Sequence, residues 1–134
     1  MSWIRSNIRW IMIVSGLLTA TMLYASIAPG AALQSTFGET LDGPLADLVV
    51  RNWGALIGLV GGMLIYGAFH PEVRPVILTV AGASKLLFIA LVLSQGQRYL
   101  AHQAGIAVVI DSVMVLLFSW YLLSTRRDAA APVR

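Results

Sequence analysis

Cysteine is absent from the sequence, which excludes disulfides, thiolate metal sites, iron–sulfur clusters and cysteine nucleophiles. Histidine is almost as scarce. The two present, His70 and His102, fall at opposite ends of the third apolar run, so they cannot share a zinc ion, and neither a metal nor a cofactor is expected. Charge is in short supply too. Charged residues make up 11% of the chain against 58% apolar, whereas about a quarter of a soluble domain is charged. A protein of 134 residues could not cover so much apolar surface in water, so lipid is the expected solvent. Also missing are a phosphate-cradling glycine loop, a Gly-x-Ser-x-Gly elbow and a His-Glu-x-x-His zinc motif. No catalytic set is therefore legible, and an enzyme is not the first reading. The net charge of +3 carries no nucleic-acid signal, because the basic residues sit at the ends of apolar segments and form no patch.

What is present is four apolar runs, residues 8–28, 53–69, 76–94 and 104–123. Each is about as long as a helix needs to cross about 30 Å of hydrocarbon. They predict an all-α fold: one four-helix transmembrane domain over residues 1–125, followed by a flexible cytoplasmic tail, 126–134. Arg5, Arg9 and the small residues Ala25 to Ala28 also fit a signal peptide, but the long apolar stretch and three further spans favour a retained helix. Four spans put both termini on one side. That side holds Arg5, Arg9, Arg74, Arg126, Arg127 and Arg134, the other only Arg51 and Arg98, which makes both termini cytoplasmic. Trp3, Trp10, Trp53 and Trp120 read as interfacial anchors. The link from Pro29 to Val50 is too long for a turn. Ala32, Leu33, Phe37, Leu41, Leu45 and Leu48 recur in it at helical intervals, broken at Gly38 and Gly43-Pro44. One or two short amphipathic helices in this first external loop are expected.

Lys85 and Asp111 are the most informative residues. Lys85 lies about 15 Å from the cytoplasmic end of the third run and Asp111 about 18 Å from the same end of the fourth, at the helical rise. Antiparallel helices joined by a short turn bring the two to nearly one depth, near the bilayer midplane. Either charge alone costs about 2.5–3.5 kcal/mol there, so an ion pair is expected. Such a pair reads either as a relay, counter-ion or catalytic couple, or as a salt bridge that fixes helix register. Ser15, Thr19, Met22 and Ser26 form a polar-leaning stripe on the first helix, and Ser84 and Ser112 flank the charges.

The second run carries Gly54, Gly58 and Gly62 at intervals of four, with Gly61 and Gly67 nearby. In lipid such a face permits close backbone packing; Ala81 and Gly82 of the third run are candidate contacts, and a second copy or another membrane protein is the alternative. Arg51-Asn52-Trp53 opens this run at the external interface. Arg51 there reads either as a clamp for an anionic head group or as a snorkelling side chain paired with Asp47.

Pro29 at the end of the first run, a long semi-apolar loop with Phe37-Gly38, and Arg51-Asn52-Trp53-Gly54 opening a glycine-rich second run together resemble the DoxX-like group of small four-helix bacterial inner-membrane proteins. The resemblance is one of layout across most of the chain. It implies a fold and a compartment and supplies no activity or site residue. A likeness to small multidrug exporters stops at the number of helices, since the first run here contains no acid. The leading functional expectation is a binding or accessory membrane protein, with lipids around it and a homo-oligomer or membrane-protein partner met through the second helix. The alternatives are an ion- or proton-coupled transporter using Lys85 and Asp111, and an enzyme acting on a lipid or quinone with Arg51 at the head group.

Overall fold

A computed structural model describes residues 2–130. Among these residues the chain is helical, without a strand: α1 (Ser2–Ala20), a 3-10 turn (Thr21–Leu23), α2 (Tyr24–Ile27), α3 (Pro29–Phe37), α4 (Pro44–Phe69), a second 3-10 turn (Pro71–Val73), α5 (Arg74–Ser94) and α6 (Gln103–Ala130). Four stretches, Trp3–Ile27, Pro44–Phe69, Pro71–Ser94 and Gln103–Ala130, are long and apolar enough to cross a membrane. Arg5 and Asp128 form an ion pair that joins the first span to the last at one end of the bundle. Arg134 lies outside the described residues.

The boundaries differ from the apolar runs where a polar or helix-breaking residue hides a helix. The first span is continuous to Ile27 but tightens at Thr21–Leu23. There Thr21 donates to the Leu18 carbonyl at 2.5 Å, a back-bond that bends helices. Ala28 leaves helical geometry (φ −130°, ψ 71°), as a residue before proline tends to do, and Pro29 starts α3. That helix ends at Gly38, whose φ of 72° lets its N–H reach the Gln34 carbonyl; a left-handed residue at this position is readily supplied by glycine. Leu45 and Leu48 do not form a second loop helix. They belong to the first turns of α4, which starts nine residues before Trp53, with Pro44 in its first turn and Asp47 near its positive end. At the other terminus, the expected tail beyond Thr125 continues as helix to Ala130, tethered through Asp128 to Arg5.

The helices pack as two antiparallel pairs, α1 with α4 and α5 with α6, and these pairs touch each other less extensively. Near the chain termini they close on one apolar core drawn from all four helices. Its members include Met12, Leu64, Leu78, Ala81 and Phe118. At the opposite end α3 lies across α4 and α6, burying Ala32, Leu33 and Thr36. Phe37 packs edge-on to Tyr99 at 5.3 Å between centroids and stands 6.0 Å from Trp53. Arg98 reaches Glu39 at 2.7 Å and ties the last loop to the first. The hydrogen bond to Glu39, and then its negative charge, hold the Arg98 guanidinium above the ordinary arginine value.

Glycine sets the spacing of the first pair. A Cβ on Gly61 would lie 2.6 Å from the Ala20 backbone nitrogen and 2.7 Å from the Gly16 carbonyl oxygen. One on Gly54 would lie 2.7 Å from the Ala25 Cβ and 2.9 Å from the Met22 carbonyl oxygen, and Gly58 faces the Leu23 side chain. The packing face of α4 is thus Gly54, Gly58 and Gly61, and its partner is the first span: α1 at Gly61, the 3-10 turn at Gly58, and the turn with α2 at Gly54. Gly62 and Gly82 have nothing within 4 Å of a built Cβ, so Gly62 drops out of this face and Gly82 does not meet it. The helical period explains the change: a strict spacing of four drifts around the helix, and one step of three restores the face. Because Gly61 meets backbone, Gly61→Leu is expected to lose about 1–3 kcal/mol. Gly62→Ala should stay within about 0.5 kcal/mol. Denaturation of both variants in mixed micelles checks the contrast.

Candidate functional site: an intramembrane ion pair in a cavity

Lys85 and Asp111 sit on adjacent, antiparallel α5 and α6, nine residues before the end of one and eight after the start of the other. The lysine Nζ donates to Asp111 Oδ1 at 2.8 Å, and the side chains are 7% and 16% exposed. The expected salt bridge is present and buried. A third helix takes part, which the pairing of charges did not reveal. Nζ also donates to Thr19 Oγ1 at 3.0 Å, and that hydroxyl donates its own proton to the Ser15 carbonyl at 2.7 Å. The back-bond turns the lone pairs of Thr19 toward the ammonium group, so α1 supplies an oriented acceptor. The serine–threonine stripe on the first helix was the available signal, and burial of Ser15 and Thr19 places it inward. Ser112 bonds to its own helix, at the Val108 carbonyl, as serine in a helix commonly does.

The ion pair lines a cavity of about 650 Å³ between the two helix pairs, within the range of about 300–1,000 Å³ typical of small-molecule sites. Its walls are mostly apolar, including Met22, Ile57, Val60, Phe88, Ala107 and Met114. Thr19, Ser84, Lys85 and Asp111 contribute polar groups on one side; Thr36 of α3 and Gln103 at the start of α6 contribute others. Gln103 and Asp111 are eight residues apart on α6, which separates these polar groups by about 12 Å at the helical rise. On the terminal side of the pair stands the packed apolar core containing Met114 and Phe118.

Hydrogen-bond capacity remains at the pair. An ammonium group has three donors, and a carboxylate has two acceptor oxygens. Lys85 uses two donors, on Asp111 Oδ1 and Thr19. Among the described residues nothing donates to Asp111 Oδ2, and the third lysine hydrogen has no acceptor. A free donor and a free acceptor therefore lie side by side on residues that line an apolar cavity.

The first turns of α4 divide into separate roles. Arg51 Nε binds Asp47 at 2.8 Å, while Nη1 donates to the Ser26 carbonyl at 2.6 Å and the Ile27 carbonyl at 3.4 Å. It thus satisfies carbonyls left open at the end of α2. Ser26 returns a bond to the Arg51 carbonyl at 2.6 Å. Asn52 is exposed, and neither it nor Arg51 lines the cavity; Trp53 does. Arg74 acts at the other end of α4 as Arg51 does at α2, donating to the Gly67 and Ala68 carbonyls at 2.9 and 2.7 Å. Among the described residues no group of three or more histidine, aspartate or glutamate side chains could hold a metal ion.

Removing one partner strands a buried charge, so Lys85→Met and Asp111→Asn are each expected to destabilise the bundle by about 3–5 kcal/mol. The double variant removes both charges and should recover most of that loss. A titration with denaturing detergent, run as a double-mutant cycle, measures the coupling.

No protein-family model matches this chain, and no curated protein and no solved structure does either, so the chemistry of the site rests on its geometry.

Proposed function

We propose that this chain is a binding protein of the bacterial inner membrane, with both termini in the cytoplasm, that holds a small lipid-soluble ligand between its two helix pairs. One observation carries the reading: Lys85 and Asp111, which keep a donor and an acceptor to spare, line a cavity whose walls are mostly apolar. Few polar groups converging in an apolar pocket is the usual composition of a small-molecule site. An ionisable pair kept inside a membrane protein commonly marks function. The bulk of arginines at the terminal end supports the orientation, and the layout shared with the DoxX-like group supports the compartment.

The other readings draw less support. Ion-coupled transport through Lys85 and Asp111 requires a route past the apolar core on the terminal side of the pair, where all four helices meet. A lipid or quinone enzyme with Arg51 at the head group meets an Arg51 already bonded to Asp47 and two carbonyls. An accessory role with a second copy or another protein remains compatible with ligand binding. Since the first span occupies Gly54, Gly58 and Gly61, such a partner would use the outward side of α4, at Gly62.

Native mass spectrometry of protein released in mild detergent tests the ligand. Wild type is expected to carry a bound small molecule, and Ala107→Trp, which fills the cavity, should lose it while keeping its fold. Wild type without any adduct, both in detergent and in lipid discs, would count against the proposal. Because the chain has no cysteine, single reporters test the orientation cleanly. Thr40→Cys is expected to react with an impermeant maleimide in intact spheroplasts, and Ala129→Cys only after lysis.

A further inference from the structure

Resting on the ligand-binding reading, we infer that the cavity takes an uncharged amphiphile, an apolar chain or ring system ending in a hydroxyl or another group that both donates and accepts. The pair itself sets the charge. Lys85 and Asp111 neutralise each other at 2.8 Å, so a ligand head placed beside them meets a site with no net charge. A carboxylate would be drawn to the ammonium and repelled by Asp111 at similar range; an alkylammonium meets the reverse. In either case the attraction largely cancels while the head still loses its hydration, and an unpaired charge in an apolar site is costly. A hydroxyl carries no such penalty.

The polar atoms left over match this class. A hydroxyl offers one donor and two lone pairs. It can donate to Asp111 Oδ2 and accept the third Lys85 hydrogen at once, completing both groups without disturbing the bonds to Asp111 Oδ1 and Thr19. An alkane completes neither, and leaves buried polar atoms unsatisfied.

The walls match the apolar body. Leu18, Leu56, Leu87, Leu91, Ile106 and Ile110 all line the cavity, and none of them is buried by the rest of the bundle. These six sit on the long apolar helices, so the cavity is bounded by unburied hydrocarbon side chains that suit a hydrocarbon body. The roughly 12 Å from the pair to Gln103, from the helical rise, accommodates an elongated body lying along α6.

Trp53 lines the cavity and reports on it directly. In a variant with Trp3, Trp10 and Trp120 changed to Phe, quenching of Trp53 is followed as brominated dodecanol, dodecanoate, dodecylammonium and dodecane are titrated in lipid discs at neutral pH. A companion variant retaining only Trp120 reports simple partition into the bilayer. Dodecanol is expected to quench Trp53 at about tenfold lower concentration than either charged analogue and than dodecane, with no such ranking at Trp120. Asp111→Asn leaves a net positive site, and dodecanoate should then overtake dodecanol. If a charged analogue ranks first in the wild-type cavity, or dodecane equals dodecanol, the inference about the ligand class is overturned while ligand binding itself stands. If none of the four quenches Trp53 beyond the Trp120 control, ligand binding falls with it. The wild-type ranking decides the matter even where Asp111→Asn fails to fold.

Discussion

A lysine buried within a bundle of apolar helices cannot be left alone, and the arrangement of this bundle follows from how that charge is satisfied. Hydrocarbon offers no solvation, so Lys85 must find its partners within the protein. It takes a carboxylate from α6 and a hydroxyl from α1, which commits three of the four long helices to one depth and one rotation. A slip of α5 by one residue would turn Lys85 by about 100° around its helix, away from both partners. The interaction therefore specifies register. The apolar contacts cannot, since the tails of lipid are as good a partner for leucine as another leucine is.

Close packing supplies what the ion pair does not. Gly54, Gly58 and Gly61 let α4 pack closely on the first span, Gly54 and Gly61 against its backbone and Gly58 against the Leu23 side chain, and in lipid such van der Waals contact is the main attraction between helices. The result is uneven. Each helix pair is well joined, while the contact between pairs is concentrated in the apolar core at the terminal end. Towards the other end the pairs leave a cavity, to whose wall α3 contributes Thr36. Arginines brace the places where helices end: Arg51 on the carbonyls of α2, Arg74 on those of α4. The same side chain that looks like an anion clamp in sequence is occupied by the protein's own backbone.

Depth was legible in the sequence and direction was not. The rise of a helix is constant, so counting residues from an apolar boundary places Lys85 and Asp111 at one level. The stripe of Ser15 and Thr19 was equally visible, but which helix it would face depends on how four helices are arranged around one another. Helix lengths exceed the apolar runs where polar residues interrupt the hydrophobic pattern. Asp47, Arg51 and Asn52 masked the first turns of α4, although Gly43-Pro44 is a helix start as readily as a break. Gly62 was grouped with Gly54 and Gly58 by a spacing of four, whereas the contact follows the true period and selects Gly61.

Local composition is enough to read four apolar helices of spanning length, the all-helical class and the need for a buried ion pair. Each of these follows from local composition, because hydrocarbon forbids unsatisfied backbone and unpaired charge wherever they fall along the chain. Tertiary structure alone decided that Thr19 completes the lysine's coordination, that Arg51 braces a helix end, and that the glycine face is consumed within the chain. It also decided that the ion pair lines a cavity with a donor and an acceptor to spare. These depend on which faces of separated segments meet, and in lipid the hydrophobic pattern that would orient a helix in water carries little information, because the solvent is apolar too.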